Sequence, residues 1–404
     1  MKNLSLDISL GEVLLVVGRS GSGKTTFLRC LAGVAHLYNL RIEGSIRVCG
    51  YEPDPSKIAR FVTYVPQEPW ASIACPYPFT ELLSFTQASM KDIEIVAKEL
   101  GIYDKLFDSS TNLSAGEIQR ICVAEALLSK KKLVLLDEVS AYLDSENRRR
   151  IAKLVDELRK SGSTVVVVDH DLELWRGIVD RVLYLDGGEA IVLNSVDETP
   201  IYEEIRRLYK FEMFRRYTKS GEIVLEARDV WYRYPDSDRF VVSGFTADAV
   251  EGEILWIRGG SGRGKSTILK LLAGIYRPSR GYVRRYVEKL QLVPENPFLY
   301  LSNPTPREEL GSRIDLAREL DLIDVLDTPI ALLSSGERRR LAIASAYARA
   351  SRLLLVDEPC IGLDPWNARR VLNVLDTLRS RGCTIIVASH SRYLELVADR
   401  IVEV

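Results

Sequence analysis

The sequence predicts an α/β protein built twice, and three observations predict it. Short apolar runs of strand length alternate with longer helical patterns through both halves of the chain. A stretch of the form G-x-x-x-x-G-K-[ST] follows an apolar run and precedes a helix in each half. Further segments then recur as matched pairs in the same order, and 404 residues leave room for two domains, each with its own core.

The first loop is Gly18-Arg19-Ser20-Gly21-Ser22-Gly23-Lys24-Thr25, with Thr26 next, after the run Val13–Val17. Its glycines let successive backbone N–H groups turn toward an anion, and the helix that follows adds the partial positive charge of its N-terminus. Lys24 is placed to reach the β- and γ-phosphates of a nucleotide, and the Thr25 hydroxyl to hold Mg²⁺. The second loop repeats this at Gly259-Gly260-Ser261-Gly262-Arg263-Gly264-Lys265-Ser266, with Thr267 next, after Ile254–Ile257. One such loop alone could be a glycine turn before an ordinary helix. Two copies exclude coincidence.

Downstream, Tyr64–Pro69 answers Leu292–Pro297, and Leu113–Glu117 answers Leu333–Glu337. Val134–Glu138 answers Leu354–Glu358, and Val166–His170 answers Ile386–His390. The two lysines stand further apart along the chain than Gln67 and Glu295 do, and the last three pairs share one still smaller offset. The back end of each half therefore has one length, and the second half is shorter only between its loop and Ser334. The larger loss matches Arg41–Gly50, predicted to form short strands with turns, where the second half keeps a brief Gly281–Arg285. Buried strands are predicted at Val134–Leu136, Thr164–Val168, Leu353–Val356 and Thr384–Val387. Helices are predicted at Glu117–Leu128, Glu146–Lys160, Glu337–Ala350 and Trp366–Arg379. The charged, helix-prone segment Asp197–Gly221 separates the halves, which puts the domains at 1–215 and 216–404, the second opening on a strand at Ile223–Leu225.

Composition narrows the function. A formal net charge of −1 gives no basic field for nucleic acid, and none is expected as a partner. The runs Arg148–Arg150 and Arg338–Arg340 read as solvated helix faces. Six cysteines lie far apart without C-x-x-C spacing, which suggests free thiols and no zinc or iron–sulfur site. No apolar run approaches the ~18–20 residues that span a bilayer, so a chain soluble in isolation is expected, with any membrane role exercised through a partner.

Asp137 and Asp357 end apolar strands, where a carboxylate can hold Mg²⁺. Glu138 and Glu358 follow them, placed to polarise an attacking water as general base. Such an acid pair could merely cap the next helix, but that explains two copies with loops attached poorly. His170 and His390 close the next strand at the same distance from their aspartates, and are placed to bond a γ-phosphate. Ser114-Ala115-Gly116-Glu117 and Ser334-Ser335-Gly336-Glu337 read as capping boxes, and a serine with glycine amides at a helix start also forms an anion site.

These motifs, in this order, make the chain resemble the ABC-type ATPases over nearly its whole length, twice. The resemblance implies two tandem P-loop NTPase domains, each a RecA-like mixed sheet core with a small β part, shortened in the second domain, and a helical subdomain. It implies ATP and Mg²⁺ as ligands, with Gln67 and Glu295 at the Q-loop position beside the metal. It also implies two domains paired head to tail within the chain. Lys24 would then share its nucleotide with Ser334 and Gly336, and Lys265 with Ser114 and Gly116. The chain departs from the family pattern at Glu295, where glutamine is usual, and at Val139, where proline is usual. The family stacks adenine on an aromatic residue upstream of the loop. Tyr234 fits that place in the second half and nothing does in the first, so the natural start is expected upstream of Met1, the alternative being a first site that binds adenine more loosely.

The stretches Thr80–Phe85 and Thr305–Leu310 look like those of energy-coupling-factor importers. That resemblance implies a peripheral subunit on the cytoplasmic face of the membrane. Transmembrane subunits would dock between Gln67 and Ser114 and between Glu295 and Ser334, on Trp70, Tyr77, Phe79, Phe298, Leu299 and Tyr300. The rival readings are a soluble ABC ATPase of translation or DNA repair, and a nucleotide-gated module without turnover. The paired glutamates and histidines argue against the last.

Overall fold

The computed structural model describes residues 1–204, 221–235, 238–349 and 352–404. The chain divides into two compact units, Met1–Arg206 and Arg207–Val404. This division and the boundary expected after residue 215 both fall in 205–220, outside the described residues, as does most of the helix expected between the halves.

The first unit is a sheet with helices between its strands. It runs β1 (Val13–Gly18), α1 (Lys24–Leu31), α2 (Pro55–Ile58), β2 (Val62–Val65), α3 (Pro78–Phe85), α4 (Met90–Glu99), α5 (Ala115–Leu128), β3 (Leu133–Asp137), α6 (Ser145–Lys160), β4 (Thr164–Val168), α7 (Leu172–Trp175), β5 (Arg181–Asp186) and β6 (Glu189–Leu193). The sheet order is β2-β3-β4-β1-β5-β6, parallel except for β6. Every residue of β1, β3 and β4 is buried, as expected of parallel strands covered on both faces. Helix α5 starts at a complete capping box on Ser114 and Glu117, and α6 at Asp144, whose carboxylate accepts the Asn147 N–H at 2.9 Å.

The second unit runs β7 (Ile223–Tyr232), β8 (Val242–Val250), β9 (Ile254–Arg258), α8 (Lys265–Ala273), β10 (Arg280–Arg285), β11 (Leu290–Val293), α9 (Pro306–Leu310), α10 (Asp315–Glu319), α11 (Ser335–Ala348), β12 (Leu353–Asp357), α12 (Pro365–Ser380), β13 (Thr384–Ser389) and β14 (Arg400–Glu403). Its parallel sheet has the order β11-β12-β13-β9-β14, the counterpart of the first. The expected strands and helices that carry the repeat all form, with ends shifted by one or two residues.

Two expectations need correction. Over Arg41–Gly50 no strand forms among the described residues, only an isolated bridge between Val48 and Tyr51. The second unit holds a regular antiparallel sheet, β10-β7-β8. The reason is its central strand. Long β7 carries both ladders, pairing antiparallel with β10 on one side and with β8 on the other. The run Arg338–Arg340, expected on a solvated face, is also buried. The guanidinium of Arg340 donates to the carbonyls of Leu320 and Asp321 at 3.1 Å each, satisfying buried acceptors that an apolar side chain would leave unpaired.

A buried glutamate ties each helical region together. Glu81 accepts the N–H groups of Ala74 at 3.1 Å and Cys75 at 2.6 Å. Glu309 accepts those of Ser302 and Asn303 at 3.1 Å each and the Ser345 hydroxyl at 2.6 Å. Where the second unit has Ser345, the first has Glu125 at the matched position of the repeat. Burial, and then the charge of Glu81, push the Glu125 carboxyl up to about 7. A folded-state value above the unfolded one stabilises at low pH, and that contribution is lost as pH rises through about 7. Glu125→Ser should therefore stabilise the first unit by about 1 kcal/mol at pH 8 and by nothing at pH 5. Urea unfolding at the two pH values measures the difference, and an equal effect at both would contradict this assignment.

Candidate functional site

In both units the glycine-rich loop joins a buried strand to a helix that opens on a glycine in the left-handed conformation. Gly23 has φ +101° and Gly264 φ +74°. A Cβ on Gly264 would lie 2.6 Å from the Val241 carbonyl oxygen, so no larger residue fits the turn. Lys24, buried at the start of α1, donates to the carbonyls of Gly18 at 3.0 Å and Arg19 at 3.1 Å. Lys265 donates to the Gly260 carbonyl at 2.9 Å and pairs with the Glu358 carboxylate at 3.2 Å. Of the remaining loop residues, Arg19 is ion-paired with Glu204 at 2.9 Å, and the Ser22 hydroxyl is buried without a protein partner. Ser20, Gly21, Gly260, Gly262 and Arg263 are exposed, while Thr26, Gly259 and Ser261 are half-buried.

The sheet registers bring the acids to these loops. Asp137 ends β3 and pairs with Val168 of β4, and Asp357 ends β12 and pairs with Ala388 of β13. Thr25 donates to Asp137 at 3.3 Å, and Ser266 is hydrogen-bonded to Asp357. Burial first, and the charge of the neighbouring glutamate with it, push both aspartates up to about 6. The next residue in each unit turns left-handed, at φ +50° for Glu138 and +44° for Glu358, although neither is glycine. Their N–H groups donate to the carbonyls of Val168 and Ala388 at 2.8 Å each. The same strained turn forms in both units, before Val139 in the first and Pro359 in the second.

Each glutamate is then held by the end of the next strand. His170 Nε2 lies 3.1 Å from Glu138, and His390 Nδ1 lies 3.0 Å from Glu358. Ser389 donates to Glu358 at 2.6 Å. Burial pushes both carboxyls up, but the adjacent histidine and the loop lysine outweigh it. Glu138 is held below the usual range, and Glu358 is held down to about 2. The histidines, expected on a phosphate, thus face the glutamates. Gln67 also meets Glu138, donating at 2.6 Å, rather than the metal position at Asp137. Glu295, its counterpart, is pushed up to about 7 by burial and by the charges of Asp357 and Glu358.

The signature residues stand apart from this cluster within their own unit. The hydroxyls of Ser114 and Ser334 are engaged with Glu117 and Glu337 at 2.8 and 2.7 Å. The glycines have a packing reason of their own. A Cβ on Gly116 would lie 2.8 Å from the Tyr142 carbonyl oxygen, and one on Gly336 2.8 Å from Asn367 Oδ1. Tyr234 lies against the second loop, its hydroxyl 3.1 Å from that of Thr267 and its ring edge-on to Tyr232 and Tyr276. Sequence reasoning missed Tyr64, which donates to Asp137 at 3.1 Å, and Ser389. Neither had a signal, because the repeat puts Leu292 opposite Tyr64 and Asp169 opposite Ser389.

The residues fit a nucleotide with Mg²⁺. The Oδ1 atom of Asp357 is buried without a partner beside Ser266, and the Ser22 hydroxyl faces no protein acceptor. No group of three or more His, Cys, Asp or Glu among the described residues could hold a metal by protein ligands alone. That suits Mg²⁺, which is held by one or two protein oxygens together with phosphates. Bound there, it would supply charge neutralisation on the phosphate oxygens.

A family model described as ABC transporter matches residues 1–141 and 242–361, well over half of the chain. The chain belongs to the ABC transporter family. It is an ABC ATPase with two tandem ABC domains, and membership implies binding and hydrolysis of ATP. A provisionally named ABC transporter ATP-binding protein of Sulfurisphaera tokodaii is 29% identical over 441 residues, covering 98% of this chain and 91% of the relative. One of Vibrio vulnificus is 27% identical over 479 residues, covering 98% and 83%. Among solved structures, a chain from a model of ribosome-bound archaeal Pelota and ABCE1 matches with a TM-score of 0.72 and 25% identity, over 98% of this chain and 73% of that one.

In this ABC ATPase the two loop lysines differ in what they neutralise. Lys265 is paired directly with the buried Glu358 carboxylate at 3.2 Å, whereas Lys24 donates to two carbonyls and reaches Glu138 through its charge alone, without an ion pair. Lys265→Ala should cost about 3 kcal/mol of stability without nucleotide and Lys24→Ala about 1 kcal/mol. Thermal unfolding of the two variants checks the order, and a larger loss for Lys24→Ala would reverse it.

Proposed function

We propose that this ABC ATPase hydrolyses ATP at two sites and uses the energy to drive a membrane transporter, an energy-coupling-factor importer of a vitamin or metal ion. The observation that carries the two-site reading is that each unit assembles its own lysine, aspartate, glutamate and histidine on one strand register. In each, the loop lysine and the helix N-terminus hold the β- and γ-phosphates, with Thr25 and Asp137, or Ser266 and Asp357, on the Mg²⁺ side. Glu138 and Glu358, kept ionised by a histidine, accept the proton of the attacking water.

Relatives named for transport, matched over 83% and 91% of their length, support coupling to a membrane partner. No helix among the described residues is long and apolar enough to cross a membrane, which suits a subunit that works through such a partner. The segments between Q-loop and signature expose apolar side chains for it: Tyr77, Leu83 and Phe107 in the first unit, Phe298, Leu299 and Leu332 in the second. Trp70 and Tyr300 are instead packed inward. Trp70 lies edge-on to Tyr142, and the Tyr300 hydroxyl donates to Gln291 at 2.8 Å.

A second reading, a soluble ATPase acting on ribosomes, is favoured by one observation, the fold match to a chain of the ribosome-bound structure. Fractionation separates the two: the transporter reading expects the native protein with membranes, and sedimentation with ribosomes would replace it. Single Glu138→Gln and Glu358→Gln substitutions should each lower ATP turnover at least about tenfold at the altered site. An unchanged total rate for either variant would mark that site as non-catalytic.

A further inference from the structure

Each unit holds the turn after its glutamate with one arginine, and the two arginines come from different helices. In the first unit Arg148 of α6 donates through Nε to the carbonyls of Ser140 at 3.0 Å and Leu143 at 2.8 Å. The matched position of the repeat in the second unit is Ala368 of α12, fully buried and without any polar side chain. There the carbonyls are gripped from α11. Arg339 donates through Nη1 to the Glu358 carbonyl at 2.6 Å and through Nη2 to the Ile361 carbonyl at 3.4 Å. Its own counterpart in the first unit is Gln119, wholly buried, whose amide nitrogen and oxygen both lack a partner in the protein.

The exchange of helices changes which residue is held. Arg148 grips the far part of the turn, at Ser140 and Leu143, beyond Glu138. Arg339 grips the glutamate itself, at a residue whose left-handed backbone is strained and persists only where its surroundings fix it. A charge-assisted bond from a buried guanidinium is among the stronger ways to fix it, and the planar fork supplies two such bonds in one geometry. The second unit also needs the cation more. Glu295 replaces Gln67 and adds a carboxyl beside Asp357 and Glu358, and the field of Arg339 acts on it.

We infer that Arg339 is the positioning residue of the second site: it holds the backbone of Glu358 in the conformation that aims its carboxylate at the attacking water, the task that Arg148 performs at one remove in the first unit. The inference rests on the reading of Glu358 as the catalytic base. A guanidinium that merely fills the space between α11 and β12 would contribute to stability alone.

The test uses the full chain with its first site silenced by Glu138→Gln, so that turnover reports the second site. Arg339→Gln installs the residue that the first unit already accommodates at this position, so folding is expected to survive it. It should lower kcat about tenfold and leave KM within about twofold. Arg339→Lys, which keeps the charge and loses the fork, should recover only part of the rate. Hydrogen exchange of the backbone over 358–364 should quicken about tenfold in Arg339→Gln, with 138–144 unchanged as the internal reference. An unchanged exchange rate over 358–364, or full recovery by lysine, would overturn the inference. Absence of turnover while Arg339 is intact would instead remove Glu358 as a base, and the exchange measurement would still decide whether Arg339 holds the turn.

Discussion

The structure turns on a carboxylate that is buried and yet ionised. Glu138 and Glu358 sit in protein interior, where an unpaired charge costs several kcal/mol, and each is kept charged by what converges on it. Everything needed for that convergence comes from different places in the chain: a lysine from the glycine-rich loop, a histidine from the end of the neighbouring strand, and an amide or hydroxyl beside them. A fold that failed to bring these together would have to protonate the glutamate, and a protonated glutamate is no base. Burial, charge and strand order are therefore one constraint.

The two units meet it with different residues. The first presents the amide of Gln67 to Glu138, and the second the hydroxyl of Ser389 and the ammonium of Lys265 to Glu358. Beneath the helical region a serine and an arginine support Glu309 where the first unit sets a second carboxyl, Glu125, near Glu81. Duplicated halves are free to diverge in this way because what is required is a local balance of donors and acceptors. Several side chains can strike that balance.

That divergence also marks where sequence reasoning stopped. Glycine loops, capping boxes and strand-end acids were legible because each obeys a local rule at fixed spacing, and the repeat multiplied their weight. Strand order followed, since apolar runs buried on both faces admit few arrangements. Tyr64, Ser389, Arg148 and Arg339 were not legible. Tyr64, Ser389 and Arg339 act across a tertiary distance, Arg148 reaches back to the turn before its own helix, and none has the same residue type at its repeat position. The three-stranded sheet of the second unit was underestimated for a related reason. Its central strand β7 pairs with β10 across the whole of β8, β9 and α8, a reach that no local window detects. The arginine run on α11 looked solvated because its composition is that of a surface, and only the carbonyls that it meets reveal otherwise.

The strand register has a consequence for durability. Asp137 and Asp357 end β3 and β12, and Glu138, His170, Glu358 and His390 follow closely on the ends of β3, β4, β12 and β13, parallel neighbours in the interior of their sheets. Hydrogen bonds of such strands are among the last to open when a domain breathes, whereas loops open at almost no cost. The acid–histidine pairing is thus set by the slowest-opening part of each unit. Loops on either side can move through a cycle of binding and release while the reacting carboxylate keeps its bearing.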